Sequence, residues 1–171
     1  MLPNRVLITP EEVYDVKLVI RGAVASFMGT AVMTVAMLLM KKARMTPGEL
    51  APKEITENLE KKMGVYDRLP KPTFEVSWTM LHFGYGVTLG AAYALAQEKA
   101  SDLDRPGLIG PLFGVLLWMV GYCGWLPVFG LYPPSTELPK RKVGAELVAT
   151  HLIYGTATAV ADHVLKSRSE S

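Results

Sequence analysis

The chain has 171 residues, 50% of them hydrophobic and 20% charged, with a formal net charge of +2 and one cysteine. That is the length of a single domain and an apolar balance for a water-soluble one. So small a charge excludes nucleic acid as a partner, and a lone cysteine excludes an intramolecular disulfide.

Thr9-Pro10-Glu11-Glu12 predicts a helix start, with Thr9 as N-cap, Pro10 at the first helical position and Glu12 completing a capping box. Gly22 to Met40 then carries no charge, close to the roughly 20 residues a helix needs to cross a bilayer. It is too long and starts too far in for a secretory leader, and Lys41-Lys42-Ala43-Arg44 follows instead of a cleavage site.

In the next segment, 52–63, Ile55, Leu59 and Met63 recur four apart among Glu and Lys, with Gly64 as a stop. This pattern predicts an amphipathic helix on the membrane surface, its alternative being a solvated connector. Val76 to Ala96 is again uncharged, and Gly107 to Leu126 forms a third such stretch that Pro127 and Pro133-Pro134 should end. Cys123, inside it, reads as a buried thiol. A fourth stretch, 143–165, has Glu146 near its start and Asp162 near its end.

These stretches predict an all-α fold, an integral membrane four-helix bundle with spans about 21–40, 76–96, 107–126 and 143–165. Trp78, Trp118, Trp125 and Tyr132 fall near span ends, as interfacial anchors do, with Trp118 deeper than the rest. Loops 41–75 and 137–142 together hold 11 Lys and Arg against 7 elsewhere, which places them in the cytoplasm and both termini outside.

His82-Phe-Gly-Tyr85-Gly86 in the second span returns as His151-Leu-Ile-Tyr154-Gly155 in the fourth, and Gly22-x6-Gly29 in the first matches Gly107-x6-Gly114 in the third. The repeat predicts two hairpins related by an axis along the membrane normal. Helical spacing puts His82, Tyr85, Gly86 and Gly90 on one face, and His151, Tyr154, Gly155 and Ala159 on another. Polar groups are costly against lipid and small residues permit close approach. Spans two and four are therefore expected to pack through Gly86, Gly90, Gly155 and Ala159, with Tyr93 and Asp162 at the far boundary.

Three readings of the histidines stand open. They hydrogen-bond neighbours and lock the helices together; they bind a haem or metal, the glycines leaving room for a macrocycle; or, with Glu146, they carry protons or solute. Glu146 is expected to cap its own helix, Glu137 to approach His151 or His82, and Asp162 and His163 to snorkel towards water. Gly-x-Ser-x-Gly, His-Glu-x-x-His and phosphate-loop signatures are all missing.

His82-x-x-Tyr85-Gly86 with Gly90-Ala91-x-Tyr93, a glycine-rich third span, Gly130-Leu-Tyr-Pro-Pro, and Glu146 before His151-Leu152 together resemble the YagU-type family of small bacterial inner-membrane proteins. The likeness is strongest over 80–160. It implies a multi-pass protein of the bacterial cytoplasmic membrane and carries no reaction. The leading expectation is a non-catalytic polytopic protein, an accessory or structural subunit in the lipid bilayer beside larger membrane-protein partners. The alternatives are a bis-histidine haem or metal electron carrier and a small proton or solute pathway.

Overall fold

A computed structural model of the chain describes residues 10–99 and 106–169. Thr9, the expected N-cap, lies outside them. Helix α1 spans Pro10–Lys42, opening at the position where proline's missing N–H costs nothing. Helix α2 spans Ala51–Lys62, α3 Lys71–Lys99 and α4 Pro106–Val120. A π-helical turn, Gly121–Trp125, joins α4 to the short α5, Leu126–Val128; a second π-helical segment, Lys142–Ala149, leads into α6, Thr150–Ser169. The described residues are all-helical, with no strand among them. Two helices, Asp15–Lys42 and Gly107–Val128, are long and apolar enough to cross a membrane.

The turn before α5 has a local cause. Pro127 offers no N–H and crowds the carbonyl of Cys123 one turn back, so the helix widens, and Gly124 leaves helical geometry at φ −114, ψ −108. The widened turn exposes Cys123, its sulfur 3.8 Å from Ser135 Oγ, which corrects the expectation of a buried thiol. The chain then reverses at Gly130, whose φ of +59 lies in the left-handed region.

Helices α1 and α6 form a central pair, with α3 packed on α1 and α4 on α6. Small residues set these contacts, because a Cβ would fill the space into which the neighbour fits. A Cβ on Gly90 would overlap Ser26, and one on Gly86 would overlap Thr30, both on α1. A Cβ on Gly155 would strike the Gly110 carbonyl, and one on Gly110 would come within 2.8 Å of Ala159 Cβ. The expected pairing of spans two and four through these residues is therefore corrected: Gly86 and Gly90 seat α1, while Gly155 and Ala159 seat α4. Rings make the approach of α3 to α4 and to the π-helical turn after it, Tyr93 on Phe113 at 4.7 Å and Tyr85 on Trp125 at 6.1 Å.

The distribution of polarity is inverted. Ser26, Thr30, Thr150, Thr158, Glu146 and Asp162 are buried, whereas Phe27, Val32 and Leu39 on α1, Met80 on α3, and Leu112 and Leu116 on α4 are exposed. Asp162 does not reach for water as expected. It accepts a hydrogen bond from Arg21 Nε at 2.8 Å, because an ion-paired partner is available on α1, while His163 beside it is exposed. Glu98 of α3 lies 3.8 Å from Arg21 and 4.0 Å from Lys166, so one charged cluster ties three helices at this end.

Gly155→Leu is expected to cost roughly 1–3 kcal/mol by forcing α4 from α6. Val160→Leu on the exposed face of α6 should be near neutral. Denaturant titration in detergent, followed by circular dichroism, measures both.

Candidate ligand cleft between the histidine helices

At the end of the bundle opposite the Arg21 cluster, the helices enclose a cleft of about 310 Å³. Thr30 and Met33 of α1 and Tyr154 of α6 form its floor. His82, Tyr85 and Leu89 of α3 make one wall, and Leu117, Tyr122 and Trp125 the other. Ile55 and Leu59 of α2 cover it, and His151 enters from α6. No Asp, Glu, Lys or Arg is among its lining residues. Leu81 and Tyr85, each 46% exposed, mark its open side.

The two histidines thus share one cavity, and their hydrogen bonds assign the tautomers. His82 Nε2 lies 3.2 Å from Thr34 Oγ1, whose own proton is committed to the Thr30 carbonyl at 2.7 Å. Thr34 must therefore accept from His82 Nε2–H, and Nδ1 keeps its lone pair. His151 places Nδ1 2.5 Å from the Leu147 carbonyl, which only accepts. Its proton is on Nδ1, and Nε2 keeps the lone pair. Each ring thereby retains one nitrogen that can only accept a hydrogen bond or ligate a metal.

The tyrosines of the repeated motif part company. Tyr154 is buried, donating to the Gly86 carbonyl at 2.8 Å, and its hydroxyl also meets that of Ser26, which donates to the same carbonyl at 2.7 Å. This junction joins α1, α3 and α6. Tyr85 stands at the open edge against Trp125. Ser26, Thr30 and Thr34 were missed from the sequence; their spacing of four along one face of α1 was the available signal.

Helix α2 is a lid held by polar contacts. Glu146, buried, accepts the Ala51 N–H at 2.6 Å, capping the N-terminus of α2 rather than that of its own helix. The correction follows from the π-helical segment that carries Glu146 towards α2. Its second oxygen is buried without a hydrogen-bond partner among the described residues. Lys142, also buried, donates to Glu54 Oε1 at 2.7 Å and to the Glu49 carbonyl at 3.0 Å. Asn58 donates to the Leu131 carbonyl at 3.0 Å. Lys53 bonds Glu75 at 2.7 Å, and the Trp78 indole N–H donates to the same carboxylate at 2.6 Å. The Lys53 ammonium, then the indole, hold the Glu75 carboxyl below the usual range.

Ile55 and Leu59 pack with Trp118 and Trp125 against the cluster that holds Tyr122, Leu126 and Leu147, so α2 covers the bundle; Met63 alone of the expected stripe is fully outward, at 66% exposure. Glu137 is exposed in the turn, its N–H bonded to the Pro134 carbonyl, and does not line the cleft with either histidine. The Gly130 reversal and the prolines direct it away.

As a metal centre the cleft is sparse: among the described residues no three His, Cys, Asp or Glu side chains converge. The glycines expected to make room for a macrocycle do not do so. Gly86 is filled by Thr30 and Gly155 by Gly110 and Gly114.

Fold and site define an all-helical protein with a lidded, two-histidine apolar cleft. The chain belongs to the family of unknown function DUF6789, whose model matches residues 16–171 and so covers the lid, both histidine motifs and Glu146. That is the family the match names, not a YagU-type one. No curated protein and no solved structure matches the chain.

Glu146→Ala should leave the Ala51 N–H unpaired and weaken the lid by about 1 kcal/mol. Glu146→Gln, which keeps an acceptor, should cost less. Hydrogen exchange across residues 51–62 is expected to rise in the first variant and rise less in the second.

Proposed function

We propose that this chain is a non-catalytic, multi-pass protein of a bacterial cytoplasmic membrane, in which α1, α3, α4 and α6 form a lipid-immersed bundle that holds a small apolar molecule in the two-histidine cleft. The observation that carries the membrane reading is the inverted polarity: hydroxyls and carboxylates inside, Phe27, Val32, Leu112 and Leu116 outside. In water, so much outward apolar surface would drive aggregation; in hydrocarbon it is the ordinary arrangement. Two helices that meet the length and apolarity of a membrane span support it. The binding reading rests on the cleft, whose apolar walls and few convergent polar groups are typical of ligand sites.

Such a protein acts as an accessory subunit, offering its outward faces to larger membrane partners and its cleft to a shared ligand. A second reading, an electron carrier with haem between the histidines, draws on their two unprotonated nitrogens. The filled glycine positions count against it.

The test is extraction. Membranes expressing the chain, washed with alkaline carbonate, should retain it in the pellet, and mild detergent should release it together with any partner. Release by carbonate alone contradicts the membrane reading.

A further inference from the structure

We propose that the cleft binds an apolar-tailed hydroquinone, a quinol, whose two hydroxyls donate hydrogen bonds to His82 and His151; this rests on the cleft being a ligand site. Three observations define the occupant. The lining carries no formal charge, so a phosphate or carboxylate headgroup would enter without a counter-charge at a high desolvation cost. The volume, about 310 Å³, is far more than a bare metal ion occupies and suits a ring with part of a tail. The open side at Leu81 and Tyr85 continues onto the outward apolar surface of α3, where Met80 is 69% exposed, so a chain can pass from the cleft into lipid.

The tautomers decide the polar chemistry. His151 cannot turn its Nδ1–H to a ligand without leaving the Leu147 carbonyl facing a lone pair, and Thr34 holds His82 in the same way through its bond to Thr30. Both rings therefore accept. A quinone, whose two oxygens also only accept, meets lone pair against lone pair, whereas a quinol donates from each edge of its ring. The histidines come from different helices, α3 and α6, which matches donors on opposite edges. Tyr85 of α3 and Trp125 of the π-helical turn, 6.1 Å apart, supply aromatic faces for the ring. No electron transfer is invoked; the site selects the reduced form.

The experiment is titration calorimetry of the purified full chain in detergent micelles, under reducing anaerobic conditions and against empty micelles. The probes are decyl hydroquinone, its dimethyl ether and decyl quinone. Hydroquinone should bind saturably, and each of the other two about tenfold or more weakly, the loss expected when a hydrogen bond is missing. His151→Phe should lower hydroquinone binding by about tenfold and leave the ether unchanged. If that variant does not fold, the three probes on the wild-type chain decide alone. Equal binding of hydroquinone and ether overturns the quinol assignment and leaves a cleft for apolar ligands. No saturable binding by any probe overturns both, and a co-purified haem with a Soret band overturns the quinol in favour of the cofactor.

Discussion

The Gly86 carbonyl, where the hydroxyls of Ser26 and Tyr154 meet, is the point at which three helices are held at fixed spacing. Gly86 admits Thr30 of α1 on one side, and Tyr154 of α6 reaches across to its carbonyl. In a medium that supplies no competing hydrogen bonds, such a junction has no alternative partner and fixes the helices' rotation. One turn along α3 from Gly86 stands His82, and one turn along α6 from Tyr154 stands His151. The shared cavity of the two imidazoles is thus a consequence of the junction.

The two ends of the bundle are built differently. At one, the Arg21–Asp162 pair and Glu98 bind α1, α6 and α3 by charge. At the other, the loops are longer and α2 folds back, held by Glu146 and Lys142 from the segment before α6. Burial costs both side chains their hydration; Lys142 is compensated by Glu54 and the Glu49 carbonyl, and Glu146 by the Ala51 N–H on one of its two oxygens. The cleft lies beneath the lid, so the same segment that starts α6 positions both its cover, through Glu146, and His151 within it.

Much of the fold was legible in the charge-free stretches, because helices that must hide few polar groups exclude charge over their whole length. The repeat singled out His82 and His151, and both line one cleft. The helix pairing was not legible: a small-residue face announces close approach but not which neighbour approaches, and Gly86 and Gly155 turned to different helices. Asp162 and Arg21 stand 141 positions apart, so their pairing had no local signature. Glu146 was recognised as a cap, yet its target depended on where the first loop returned. Glu137 failed for the same reason, its direction being set by the backbone at Gly130.

The central claim is that the outward Val, Leu and Phe side chains meet lipid while Ser26, Thr30 and the histidines face inward. A nitroxide at Val32→Cys, in a Cys123→Ser background reconstituted into bilayers, tests it by power-saturation spin resonance. The account predicts strong relaxation by oxygen and weak relaxation by a water-soluble nickel chelate; dominant relaxation by the chelate would contradict it.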